Sequence, residues 1–169
     1  MTTDTTFPVA DSTIYKQGMR HLVGATCVIT AEHQGQKSGL TATSVTSVAA
    51  EPPELLVCIN QDTSAWPLIE KSGLFGVNVL ALEQQQVALQ FAGVGGVKGA
   101  QRYENANWIQ HNGVWLLDDA PAVFACRVSE IIIRHSHALV LGAVEYVRSA
   151  DQTVDPLLYW QGKFGRFQG

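Results

Sequence analysis

The stretch from Gly39 to Asn60 gathers the side chains best suited to holding a small flat molecule. It places hydroxyls at Thr41, Thr43, Ser44, Thr46 and Ser47, with no bulky side chain between Thr41 and Val45. Hydroxyls and amides on such a backbone can hydrogen-bond carbonyls, ring nitrogens or a phosphate. An ordinary Thr-rich strand and turn has the same composition, and the residues alone leave both readings open. Just past Asn60, Thr63 or Ser64 is placed to cap a helix, and a helix starting beyond a strand end offers free amides to an anion. His135 and His137 face one side if their segment is extended, but no Cys or carboxylate is spaced to complete a zinc site, so no metal is expected. His21, His33 and His111 receive no role. Gly93 to Gly99 fails as a nucleotide fingerprint because Lys98 stands where a third Gly is needed, and it reads as a mobile loop.

The elements that must position these residues are mostly strands. Asp11 or Ser12 caps a helix to about His21, with Ile14, Met19 and Leu22 toward one side. Val23 to Ala31 reads as a strand, Glu32 to Ser38 as a hairpin turn, and the hydroxyl stretch as the second arm of that hairpin. After Pro52-Pro53, Leu55 to Ile59 is an apolar buried strand. Leu74 to Leu80 is another strand and Glu83 to Phe91 a helix. Asn112-Gly113 turns a hairpin within Asn105 to Leu117. Two long strands, Ala122 to Arg134 and Ala138 to Val147, flank His135-Ser136-His137. Ile131-Ile132-Ile133 is apolar on both faces, which suits a barrel wall at a subunit contact. Six or seven strands and two or three short helices predict an all-β barrel.

With 169 residues the chain fits one domain, read as a disordered arm over 1–11 and a folded domain over 12–169. Charged residues are only 15%, against roughly 25% in average proteins, so part of the surface is expected to be covered by a second copy in a homodimer. The net charge of −4 gives no footprint for nucleic acid. No apolar run is long enough for a membrane helix, and the first residues lack the pattern of a secretory signal. Cys27, Cys58 and Cys126 sit apart in apolar runs and read as thiols in a reducing cytoplasm.

Gly39 to Ser44, Ser47-Val48, Pro52-Pro53 and Val57 to Asn60 resemble the flavin-binding signature of the short-chain flavin reductases, the reductase components of two-component monooxygenases such as that acting on 4-hydroxyphenylacetate. The resemblance continues through Ser64, Gly76 to Leu80, Phe91-Ala92-Gly93, His137 followed five residues later by Gly142, and the aromatic tail from Tyr159 to Phe167. It implies a six-stranded FMN-binding split barrel of Greek-key type that pairs as a homodimer. It implies hydride transfer from NADH (NADPH possible) to FMN (FAD possible), with reduced flavin passed to a partner monooxygenase. It assigns flavin to Thr41, Ala42, Thr43, Ser44, Ser47, Cys58, Asn60, Ser64, Phe91 and Arg102. It assigns nicotinamide to His137, Tyr159, Gly162 and Phe164. Two departures stand out: Ser136 where relatives often carry Asp, and Phe164 where they often carry Tyr. No acid–base residue is required, since the cofactors carry the chemistry, and the chain shows no triad or paired catalytic carboxylates. Other readings are a bound-FMN reductase serving an acceptor such as a cob(II)alamin-type corrinoid, and a non-catalytic flavin-binding module.

Overall fold

The computed structural model describes residues 10–151 and 153–166. The arm expected over residues 1–11 falls mostly outside that range, as does Phe167 of the tail. In chain order the elements are α1 (Ser12–Met19), β1 (Gly24–Ala25), β2 (Cys27–His33), β3 (Gln36–Ala42), β4 (Val45–Ala50), β5 (Pro53–Asn60), α2 (Trp66–Ser72), β6 (Leu74–Val79), α3 (Gln85–Phe91), β7 (Trp108–His111), β8 (Val114–Leu117), β9 (Ala122–Arg134), β10 (His137–Ser149), β11 (Leu158–Trp160) and β12 (Lys163–Gly165). Short 3₁₀ turns precede α3 and cover Val94–Gly96 and Gly99–Tyr103.

Seven strands form one antiparallel sheet in the order β3-β2-β6-β9-β10-β5-β4. That is one strand more than the six implied, because the Thr-rich stretch divides at Thr43-Ser44 into β3 and β4. These consecutive strands lie at opposite edges of the sheet. Three Cα steps, about 11 Å, separate Ala42 from Val45, so the sheet has to roll until its edges approach. Inside the roll, Ile29, Val57, Ile59, Phe75, Val77 and Val140 are buried together with Ile69 of α2. β2 is buried on both faces: Ile29 looks into this core, while Val28 joins a second one with Phe91 of α3, Tyr103, Leu116 and Leu117. Buried Asn78 ties that second layer on, donating to Val28 O at 3.1 Å and accepting from Leu117 N at 2.7 Å.

Local departures from the sequence reading have simple causes. Asp11 caps α1 as expected, accepting from Thr13 N and Ile14 N, but Ile14, Met19 and Leu22 are all exposed. The cap of α2 is Ala65, not Thr63 or Ser64. Thr63 instead donates its hydroxyl back to Asn60 O at 2.8 Å, and the Ser64 hydroxyl pairs with that of Ser38 at 2.7 Å. His135 and His137 do not share a face of an extended segment. His135 has φ 51° and sits with Ser136 in the tight turn between β9 and β10, while His137 opens β10.

Two glycines are required by close approach. A Cβ on Gly142 would stand 2.4 Å from the ring of Phe75, and one on Gly39 would stand 2.4 Å from both Ile29 O and the ring of Phe91. Gly39→Ala is expected to destabilise the protein by about 1–3 kcal/mol, lowering Tm by about 2–4 °C per kcal/mol. Thermal melts check this; an unchanged Tm would show that Phe91 is free to yield.

Candidate functional site

The edge-to-edge joint forms the floor of the main cavity. Because Thr43 and Ser44 belong to neither strand, their amides have no backbone acceptor among the described residues. The joint is held to β5 instead, with Cys58 N donating to Ser44 O at 3.3 Å and the Ser44 hydroxyl donating to Cys58 O at 2.9 Å. Beside it, the Thr41 hydroxyl donates to Ala88 O in α3 at 2.6 Å, and the Tyr103 hydroxyl to Ser38 O at 2.6 Å. The cavity above measures about 780 Å³, within the usual range for a cofactor-sized ligand. Its walls include Thr41, Ala42, Thr43, Ser44, Cys58, Asn60, Ser64, Phe91, Arg102 and His137. Nine of the ten flavin candidates therefore meet in one place.

Ser47 is the exception. It is exposed on β4 and borders a separate apolar groove with Val45, Leu55, Phe124 and Val147. The nicotinamide candidates divide. His137, opposite Asn60 in the β5–β10 register, stands at the main cavity with its Nδ1 2.9 Å from the Ser136 hydroxyl. Tyr159, Gly162 and Phe164 line a second cavity of about 430 Å³. The two cavities share Thr41, Ala42, Thr43 and Ala92. Tyr159 and Phe164 pack edge to face at 5.2 Å across the β11–β12 hairpin.

Cationic groups border the main cavity at Lys98 and Arg102, with Asp62 the opposing carboxylate. The Arg102 guanidinium is partly committed: Nη1 donates to Gln90 O at 3.0 Å and to Phe91 O, closing the end of α3. Its Nε is buried without a partner among the described residues, and burial lowers its pKa from the ordinary value. The guanidinium nevertheless stays charged. Burial pushes the Cys27 and Cys126 thiols up to about 12, so both are inert at neutral pH. The sequence reading missed Asp62, Thr63, Lys98 and Gly99 as cavity residues. Two of them carried a local signal: Thr63, read as the cap of a helix that offers amides to an anion, and Lys98, set among glycines that fail as a nucleotide fingerprint.

A flat, hydrogen-bonding, anionic ligand fits this arrangement. The floor carries small side chains, two of its amides have no backbone acceptor among the described residues, and positive charge stands at the wall. Comparisons with known proteins agree. The flavin reductase like domain model matches residues 19–168. A reductase component of an FADH(2)-dependent resorcinol hydroxylase from Rhizobium sp. (strain MTP-10005) is 39% identical over 89% of this chain and 84% of its own. "FMN reductase (NADH) RutF 2" of Methylorubrum extorquens (strain PA1) is 36% identical over 78% of this chain and 76% of its own. A crystal structure of a flavin reductase domain protein from Arthrobacter sp. FB24 superposes with TM-score 0.85 at 26% identity, covering 94% of this chain and 97% of that one. The expected all-β split barrel with short helices is thus the observed fold, and the chain belongs to the flavin reductase like domain family.

Proposed function

We propose that this protein transfers hydride from NADH to FMN, with FAD an alternative acceptor and NADPH an alternative donor, and that the reduced flavin goes to a partner monooxygenase. The observation that carries this reading is the convergence of Thr41 to Ser44, Asn60, Arg102 and His137 on one cavity, in a chain whose relatives are named for this chemistry. The nicotinamide supplies the hydride and the flavin ring accepts it; the chain binds and aligns them.

Each part of the site has a task. Thr41-Ala42-Thr43 supplies a floor low enough for the flavin ring. The amides of Thr43 and Ser44, with the Thr43 hydroxyl, hydrogen-bond the ring's polar edge and stabilise negative charge there. Thr41 and Ser44 already donate their hydroxyl protons within the protein, so toward a ligand they act as acceptors. Lys98 and the uncommitted face of Arg102 offer charge to a phosphate. The Tyr159–Phe164 pair walls the donor's ring in the adjoining cavity. His137, exposed at the rim of the main cavity, takes a polar part of the donor. Residues 12–169 work as one domain in the cytoplasm, where thiols such as Cys27 and Cys126 stay reduced. No helix among the described residues is long and apolar enough to cross a membrane. The exposed β4 edge, with Val48 and Val147 uncovered beside the Ser47 groove, is the face on which a homodimer would close; sedimentation at micromolar concentration should show a species of two chains, and a monomer would remove this assignment.

Thr43→Val should weaken FMN binding roughly two- to tenfold, the loss of one neutral hydrogen bond, and leave Tm unchanged. Thr41→Val should lower both affinity and Tm, since its hydroxyl also holds α3. Fluorescence titration and thermal melts on the pair test this, and two wild-type affinities would take the floor out of the site. His137→Ala should keep near-normal FMN affinity and lose about ten- to a hundredfold in kcat/KM for NADH. FMN binding and NADH kinetics measured on the same variant decide it; collapse of FMN affinity alone would move His137 to the flavin.

A further inference from the structure

A third cavity, of about 680 Å³, lies between the β11–β12 hairpin and the chain leaving α1, and has no task in the reading above. Successive side chains of a strand point to opposite faces. Tyr159 accordingly borders the donor cavity, while Leu158 and Trp160, its neighbours in β11, border the third one. Trp160 pairs with Lys163 across the hairpin, so an aromatic face and a cation stand side by side. Three contacts hold the hairpin turn to the end of α1. Gln161 N donates to Arg20 O at 3.3 Å, Trp160 Nε1 donates to His21 O at 3.3 Å, and Gln161 Nε2 meets His21 Nδ1 at 3.4 Å. The Trp160 indole is thus oriented although 52% exposed.

The chemistry of this cavity is cationic and aromatic. Lys163 and Arg166 border it, and neither forms a salt bridge among the described residues. The Arg20 guanidinium stands at the turn, 3.3 Å from where a Cβ on Gly162 would lie. No carboxylate borders the cavity among the described residues. Positive charge gathered without a counter-charge, in a chain of net charge −4, suits an anion. Trp160 beside Val23 and Leu158 suits a flat base. β12 is the outer strand of its sheet, and Phe164 on it borders both this cavity and the donor cavity. A dinucleotide has two flat groups joined by a pyrophosphate, a shape able to straddle such an edge. We infer that the third cavity holds the adenosine diphosphate half of the nicotinamide donor, with adenine against Trp160 and the phosphates toward Lys163 and Arg166. The nicotinamide then reaches round the edge of β12 to the Tyr159 side. This inference rests on the flavin reductase reading and gives the donor's other half a place. FAD carries the same adenosine diphosphate, but the flavin's phosphate is already assigned to Lys98 and Arg102 in the main cavity.

The test compares Trp160→Ala, Trp160→Phe and Lys163→Gln with wild type. ADP, FMN and FAD are titrated onto each, and NADH is compared as donor to FMN with reduced nicotinamide mononucleotide, which lacks the adenosine half. Trp160→Ala should raise the Kd for ADP about five- to tenfold, and Lys163→Gln about two- to fivefold. The ratio of kcat/KM for NADH to that for the mononucleotide should fall by the same factors. Trp160→Phe keeps a stacking face but loses the bond to His21, and should stay within about twofold of wild type. An equal loss for Trp160→Phe and Trp160→Ala would make that bond, not stacking, the role of Trp160 and overturn the inference. An unchanged donor ratio in Trp160→Ala and Lys163→Gln would overturn it as well. Weakened FAD binding with NADH kinetics untouched would give the cavity to the acceptor's tail, against the inference. If wild type oxidises no NADH with added FMN, the broader reading falls, while the ADP titrations still decide whether this cavity holds an adenosine diphosphate.

Discussion

The link of two residues, Thr43-Ser44, between opposite edges of a seven-stranded sheet is the constraint on which the rest depends. Laid flat, seven strands would hold their outer members about 28 Å apart, six spacings of 4.7–4.9 Å. The link allows about 11 Å. The sheet therefore closes by covalent connection where no ladder of hydrogen bonds joins β3 to β4. An edge normally invites another strand to pair with it. Here the gap is kept short and open, and its two residues border a cavity. One geometric necessity thus creates both the barrel and the cavity proposed for a flat ligand.

The floor can serve as a template only if it stays rigid, and neighbouring elements hold it from three sides. Ser44 is bonded twice to Cys58 in β5. Thr41 reaches Ala88 in α3, and Ser38 at the start of β3 is held by the Tyr103 hydroxyl. Arg102 closes the end of α3 through Gln90 and Phe91, while Phe91 itself lies against the bare Cα of Gly39. Several side chains assigned to cofactor binding are thus engaged within the protein first. That is how preorganisation is achieved: donors and acceptors reach their positions before the ligand arrives, and binding does not have to order them.

Much of this was legible in the sequence where the signal is local. Asn112-Gly113 marked the β7–β8 hairpin, and the apolar run from Leu55 to Ile59 marked β5 as a buried strand, in which Leu55, Val57 and Ile59 are the buried positions and Leu56 and Cys58 only partly so. The hydroxyl stretch stood out as a run of small polar residues, but its composition also fits an ordinary Thr-rich strand, and the resemblance to a flavin-binding signature was needed to single it out as a candidate site. What stayed hidden depended on distant partners. Nothing in the residue types of Thr41 to Ser47 says that the strand breaks at Thr43, since hydroxyl-bearing residues continue on both sides of the break. Ser47 therefore seemed to belong with its neighbours, although the break carries it to another edge. Likewise β2 reads as an alternating strand but is buried on both faces, because a second core laid on by β7, β8 and α3 covers the side that a lone barrel would expose. Lys98 was noticed only as the residue that spoils a glycine fingerprint, since its place at the cavity is set by the fold around it and not by its glycine-rich neighbours.

The two halves of the proposed reaction centre are built to different strengths, and the difference suits their tasks. The flavin floor belongs to the large sheet and is fixed by bonds from β5 and α3. The aromatic wall of the donor cavity belongs to a sheet of only three strands, where β11 and β12 pair through three residues and β1 adds two more. So short a pairing has little stability of its own and opens at lower free energy than the barrel does. Tyr159 and Trp160 remain substantially exposed on it. A donor that must enter and leave on every turnover is better served by a wall of this kind than by a rigid one, because alignment is needed only while hydride moves. The acceptor, whose ring must be held flat at a fixed height, is served by the opposite choice. Where the two cavities meet, along Thr41 to Thr43, the rigid half sets the reference plane and the yielding half closes against it.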